Sequence, residues 1–395
     1  MQRMAIVLIF FLLAACAGTP APQQAASLLN DDLVAAPSRP VEPTHIFAMS
    51  PAMRQYADAE LAHTSHLREP RRELIDALYS RGKLRLRYDA GATRSAAQAF
   101  DDRAGNCLSL VIMTAAFARH LGLTVTFQSV LSNDAYSRIG DLYLVSGHVN
   151  LVLNKTNRPA AASLLGNHGA AGLTVDFLPS ADLVGQRTRP IDETTIVAMF
   201  MNNRAAEALS DARPSDAYWW AREALRQDAG FLPGVNTLGV VYSRLGLLAQ
   251  AEAALRHVLV QEPWNTSALS NLVRLLDRTG RPKESHEVAE RLARVQPVPP
   301  FHFYDQARQA LAGGDAVAAR RLLIQELRLQ PYQHEVHFLL GLAYAKLGQA
   351  ATASRHLTMA LENSTTRESQ ALYGAKLDEL RARGAVAQLP HAQPP

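Results

Sequence analysis

Apolar positions are spread unevenly along this chain, and their spacing changes character several times. Residues 4–13 form an unbroken apolar run behind Arg3, too short to cross a bilayer. Residues 16–43 are largely Ala, Pro, Gln and Ser with few large apolar side chains, a composition that predicts a flexible tether. From 44 to 190 the pattern is mixed. Helices are expected over 50–67 and 70–81, the second with Leu74, Ile75, Leu78 and Tyr79 on one face and Gly82 at its end. Residues 84–88 alternate as a half-buried strand, and 93–100 read as a short helix with Thr93 as its cap. A long apolar helix is expected from Cys107 to about His120, stopped by Gly122, followed by strands at 123–130, 143–153 and 173–178.

Beyond residue 190 the apolar period is helical throughout, and small residues and helix breakers recur at one spacing. Gly246, Gly280, Gly314 and Gly348 lie 34 residues apart, as do Pro263, Pro297 and Pro331. Ala205, Gly239, Val273, Ala307 and Gly341 occupy one further register, and Ala217, Ala251, Ser285, Ala319 and Ala353 another. Each register has a physical reason. Small side chains let the two helices of a hairpin approach closely, glycine ends the first helix with a positive φ, and proline cannot continue the second. The 34-residue period is that of tetratricopeptide repeats, five of them over 198–367. The first unit is degenerate, with Ala212 and Ala229 in the Gly and Pro registers. Residues 368–383 are expected to form a capping helix and 384–395 a disordered tail. Such an array binds a peptide or a partner protein rather than performing chemistry. Its first register places the domain boundary between about Pro190 and Ala198.

The formal charge of +4 over 395 residues leaves no basic stripe, and nucleic acid is not an expected partner. His334 and His337 lie three apart, as do His63 and His66, but neither pair has a third ligand nearby. Surface histidines are the expectation for both, with no metal and no cofactor. Only two cysteines exist, Cys16 and Cys107. The apolar run ends in Leu13-Ala14-Ala15-Cys16, which resembles the lipobox of bacterial lipoproteins. The resemblance implies a signal peptide over 1–15 and lipidation at Cys16, hence a membrane anchor in the cell envelope. Ala17 stands where an Asp would retain many such proteins at the inner membrane, so the expected site is the outer membrane, facing the periplasm. Cys107 is then a lone thiol in an oxidising compartment.

That thiol has a specific setting. Gly105-Asn106-Cys107 opens the long apolar helix, Gly147-His148-Val149-Asn150-Leu151 lies in a later strand, and Val175-Asp176-Phe177 in the next. This order resembles the transglutaminase-like superfamily of papain-type cysteine enzymes, over about 50–185. The run 103–110 is similar to the bacterial branch in which such a domain precedes tetratricopeptide repeats. The resemblance implies Cys107 as nucleophile, His148 as its base and Asp176 as the residue that orients His148. Asn106, beside the nucleophile, and Asn150, on the same strand face as His148, are accessory candidates. The residue chemistry agrees. The positive end of a helix favours negative charge on sulfur. An imidazole beside it shuttles the proton, and a carboxylate selects the ring nitrogen that faces the thiol. The insertion 154–172 departs from the pattern.

The expected fold is therefore an α+β transglutaminase-like (papain-like) domain over 44–190 followed by an all-α tetratricopeptide-repeat solenoid. The expected function is an envelope lipoprotein acting on amide bonds, as peptidase, amidase or acyltransferase, with the array holding substrate or partner. The alternative is a non-catalytic periplasmic scaffold whose array recruits an assembly or secretion partner.

Overall fold

The computed structural model describes residues 25–41, 45–61, 70–79, 84, 86–89, 92–139, 142–154, 172–177, 187–299, 301–329, 333–362, 364 and 367–387. Residues 1–15, Cys16, His63, His66, most of the 154–172 insertion and the last eight residues lie outside that set. Helix α1 (Pro51–Tyr56) begins on Ser50, whose side chain accepts the Met53 N–H at 3.2 Å, with Pro51 at the position where a missing N–H costs nothing. It continues as a π-helical turn, Ala57–Leu61. Helix α2 spans Pro70–Tyr79 and helix α3 Ala96–Asp102. The cap of α3 is Ser95 in a capping box with Gln98, not Thr93 as the sequence suggested. Ser95 supplies the hydroxyl three residues before a Gln, and that reciprocal pair outcompetes a lone Thr. Strand β1 (Arg87–Tyr88) pairs in parallel with β2 (Ala104–Gly105), and helix α4 (Cys107–His120) follows directly.

Among the described residues four strands form the main sheet: β3 (Thr124–Ile139), β4 (Leu142–Asn154), β5 (Leu173–Val175) and β6 (Arg187–Ile191), in the order β5-β4-β3-β6 and antiparallel throughout. The β3–β4 hairpin is longer than its apolar alternation indicates. Pairing resumes beyond a register shift between Val130 and Ala135 and runs to Ile139 opposite Leu142. Strand β6 was not expected at all. Its sequence is polar and includes Pro190, which an edge strand tolerates because one side of its backbone needs no partner. Helix α4 is apolar on every side and is buried accordingly. Leu108, Val111, Ile112, Met113 and Phe117 share one core with Phe127, Val149, Leu151 and Leu153 of the sheet.

Helix α5 (Glu193–Ser210) leaves the sheet straight after β6. Ile196, Ala198, Phe200 and Met201 on its first half belong to the α4–sheet core, whereas Ala208 belongs to the core of the repeats. Strand β6 ends and α5 begins within the interval 190–198 where the boundary is expected, and α5 is shared between the two cores. The helical period could not show this, since a helix buried at one end by a sheet and at the other by a helix keeps one continuous pattern.

The repeats form five helix pairs. They are α5 with α6 (Pro214–Gln227), α7 (Leu232–Leu245) with α8 (Leu248–Gln261), and α9 (Thr266–Arg278) with α10 (Pro282–Val295). The last two are α11 (His302–Ala312) with α12 (Ala316–Leu329), and α13 (His334–Lys346) with α14 (Ala350–Glu362). Helix α15 (Arg367–Ala387) packs on α14 and continues through Gly384 to Ala387, where a disordered tail was expected; the rest of that expected tail lies outside the described residues. The register glycines adopt left-handed backbone: φ is +79° at Gly246, +70° at Gly280, +85° at Gly314 and +72° at Gly348. In the degenerate first unit Ala212 takes the same place with φ +56°. A Cβ is strained there, so Ala212→Gly is expected to stabilise the protein by roughly 0.5–1 kcal/mol, read as a rise in midpoint denaturant concentration. An unchanged or lower midpoint would show that the entropy glycine adds to the unfolded chain outweighs the relief.

Residues 25–41 correct another expectation. Part of the expected 16–43 tether is laid along α6 and the end of α7. Ala25 and Val34 enter the repeat core with Leu28 and Leu29 against it. The Tyr218 hydroxyl donates to Asp31 Oδ1 at 2.7 Å, and Arg222 grips both Asp31 oxygens. The Ser38 hydroxyl and N–H donate to Asp216, and Trp219 Nε1 donates to the Ala35 carbonyl. Low-complexity composition concealed this, because the partners lie about 180 residues away in sequence and supply what the segment lacks.

Candidate functional site

Antiparallel register brings three of the predicted residues together. Leu151 pairs with Val175, which sets Asn150 opposite Asp176 just beyond the end of β5, with His148 two residues further on the same face of β4. His148 Nε2 lies 2.7 Å from Asp176 Oδ1, and Asn150 Nδ2 donates to Asp176 Oδ2 at 3.0 Å. Both carboxylate oxygens are therefore held. His148 and Asp176 are buried, with side-chain exposures of 8% and 3%. Phe177, next in the chain, packs its ring 5.2 Å from that of Tyr79, whose hydroxyl is 2.6 Å from Thr114 Oγ1 of α4. The end of β5 is thus fastened to the cysteine-bearing helix.

Cys107 is the first residue of α4 and is half-buried. It lies beside the same imidazole. Burial alone would lower the His148 ionisation, but hydrogen bonds with Asp176 and Cys107, together with their charges, push it up to about 9. With Nε2 turned to Asp176, Nδ1 is the ring nitrogen left for the thiol. The sign for stability follows. A histidine raised above its ordinary 6.5 contributes fully below that pH, and its contribution is lost as pH rises through about 9. The stability gap between the wild type and Asp176→Asn is expected to close over that interval, measured by thermal unfolding across pH. A gap that stays constant would remove the ion pair as its source.

Asn106 plays a different part from the accessory role suggested for it. It is the N-cap of α4: its Oδ1 accepts the Ser109 N–H at 2.9 Å and the Ser109 hydroxyl at 2.8 Å. Its Nδ2 donates to Thr93 Oγ1 at 2.9 Å. With its oxygen and one amide N–H engaged, Asn106 shapes the start of the helix. Gly105 is explained by the same turn, since a Cβ there would stand 2.7 Å from Ser109 Cβ. Asn150 retains more freedom. Its Oδ1 is buried with no hydrogen-bond partner.

The histidines read as surface residues are placed otherwise. His337 is 1% exposed, with Nδ1 3.0 Å from His356 Nδ1, and His334 Nδ1 lies 2.9 Å from the Tyr373 hydroxyl. They line the contacts of α13 with α14 and α15. Burial and the neighbouring His337 and Arg355 hold His356 down to about 4. Spacing along one helix could not reveal partners on the next two. Among the described residues no group of three or more His, Cys, Asp and Glu side chains is placed to hold a metal ion, and no helix is long and apolar enough to cross a membrane.

No family model matches the chain. The TPR repeat-containing protein PA4667 of Pseudomonas aeruginosa is 29% identical over 212 residues, covering 50% of this chain and 36% of that protein. Cellulose synthase operon protein C of Pseudomonas fluorescens is 28% identical over 203 residues, covering 46% of this chain and 16% of that protein. The chain thus spans about a third and about a sixth of the lengths of these two relatives. Among solved structures, MamA from Desulfovibrio magneticus RS-1 aligns at 18% identity over 44% of this chain and 96% of its own, with a TM-score of 0.25, too low to carry weight. The five helix pairs at a 34-residue period among the described residues, and the similarity to a TPR repeat-containing protein, make the chain a tetratricopeptide-repeat protein.

Proposed function

We propose that this tetratricopeptide-repeat protein recruits a protein or peptide partner through its array and processes amide bonds at Cys107. The recruiting role is supported by the repeats and by the relatives. The catalytic role rests on a single observation: Cys107 at the start of a buried helix beside His148, whose far nitrogen is 2.7 Å from Asp176. The order helix, strand, strand for these residues is what the transglutaminase-like resemblance implies.

The chemistry runs as follows. The Cys107 sulfur attacks the amide carbonyl carbon, forming a C–S bond, while His148 delivers its proton to the departing amine nitrogen as the C–N bond breaks. The thioester is then resolved by water or by an amine, whose proton passes to His148, and the thiolate leaves. Asp176 keeps the imidazole oriented and stabilises its charged form, with Asn150 steadying the second carboxylate oxygen. The N–H of Cys107, which no helical ladder bond can satisfy, is a donor for the developing oxyanion. Lipidation at Cys16 and a periplasm-facing outer-membrane site belong to this reading. They are supported by the apolar run 4–13 and by Leu13-Ala14-Ala15-Cys16.

The test is capture of the acyl-enzyme. A thiol-directed acyl probe is expected to leave a hydroxylamine-sensitive mass increment on the peptide containing Cys107, and none in Cys107→Ala. A wild type that takes no label would leave the array without a catalyst. The comparisons lend more support to that second reading, a non-catalytic scaffold, because they include a TPR repeat-containing protein. Cellulose synthase operon protein C suggests an assembly setting for such a scaffold. On that reading Cys107→Ala complements a deletion strain fully, and a chain lacking the repeats does not.

A further inference from the structure

We propose that Glu207, carried by the first helix of the repeat array, is a positioning residue for Cys107, which makes the array a working part of the site. This rests on the catalytic reading of Cys107. The path is short and continuous. Glu207 Oε1 accepts the Thr93 N–H at 2.6 Å. Thr93 Oγ1 accepts from Asn106 Nδ2 at 2.9 Å, and Asn106 caps the helix that Cys107 begins. The next residue in the turn, Arg94, donates its N–H to the Ser109 hydroxyl at 2.8 Å, which itself donates to Asn106.

Two features show that Glu207 was placed for this bond rather than for solvent. Its side chain is three-quarters covered, and burial pushes its carboxyl above the usual carboxylate range even though Arg204 and the Thr93 N–H act to lower it. Its other oxygen is taken by Arg204, whose guanidinium also lies over the Trp220 ring. Meanwhile Arg119 at the far end of α4 pairs with Glu193 at the start of α5. The nucleophile helix is therefore tied to the first repeat helix at both ends. A partner that shifts α5 moves the turn that sets the Cys107 sulfur against His148.

The contribution of the bond, as opposed to the charge, separates Glu207→Gln from Glu207→Ala. The amide oxygen of glutamine still accepts the Thr93 N–H, and alanine cannot. Glu207→Ala is expected to slow acylation of Cys107 at saturating probe by roughly tenfold while leaving probe affinity unchanged, and Glu207→Gln to restore it to within about threefold. Amide hydrogen exchange of the peptide over 105–110 is the companion measurement, and it is expected to speed up in Glu207→Ala alone. Unchanged exchange in Glu207→Ala overturns the positioning role, whatever the labelling. Equal losses in Gln and Ala overturn it too, because the ion pair with Arg204 would then be the cause. Faster exchange in a protein whose wild type takes no label keeps the positioning role and rejects the catalytic reading instead.

Discussion

His148→Ala is expected to lower the rate of Cys107 acylation by at least about a hundredfold, with the protein still folded. The magnitude follows from what the imidazole does. The imidazole stands beside the thiol, Asp176 holds its Nε2, and Asn150 holds the second Asp176 oxygen. Removing the imidazole takes away both the stabilised ion pair and the proton donor for the leaving amine. It also leaves Asp176 buried with one of its partners gone, so a modest loss of stability accompanies the kinetic effect. The measurement is single-turnover labelling followed by mass spectrometry, with circular dichroism to confirm folding. Labelling of His148→Ala at the wild-type rate would identify Cys107 as a merely exposed thiol.

Gly341→Leu is expected to destabilise the repeat array by about 3 kcal/mol. A Cβ at Gly341 would stand 2.6 Å from Leu357 Cγ, 2.7 Å from its Cδ2 and 3.4 Å from the Ala353 carbonyl. Leu357 is 1% exposed, so it has no free volume into which to withdraw. Helices α13 and α14 would have to separate, and the gain in helix propensity over glycine, up to about 1 kcal/mol, is too small to compensate. Gly239 faces Leu255 in the same way, at 2.9 Å, one hundred and two residues earlier in the same register. Gly313→Ala is the matched control. Its Cβ would meet nothing closer than 3.5 Å, and its effect is expected within about 1 kcal/mol. Urea unfolding of the two variants decides the matter, and similar midpoints would mean that the hairpins do not depend on close approach at this register.

Elements whose signal is local or periodic are legible in the amino-acid order alone. The 34-residue registers determined the five hairpins, because a positive φ at Gly246 and a close crossing at Gly341 each demand a particular residue at that position. Helix α4 was legible for a similar reason: a cap, an apolar run and a terminating glycine are all contiguous. Candidate chemistry was legible at Cys107, His148 and Asp176, since residue type carries reactivity, but spacing does not encode their mutual placement.

Tertiary structure decided everything that depends on a distant partner. It made Asn106 the cap of α4, because Ser109 offers its N–H to the amide oxygen and Thr93 takes an amide N–H. It turned a polar, proline-containing stretch into strand β6, because β3 offered an edge to pair with. It moved His337 from the surface to the α13–α14 contact, and it laid residues 25–41 on the first repeat. Above all it gave α5 two cores at once and let Glu207 reach Thr93 across 114 residues of sequence. Local pattern reports what a residue prefers; only the folded chain supplies the unpaired donor, the open edge or the empty volume that settles where the preference is met.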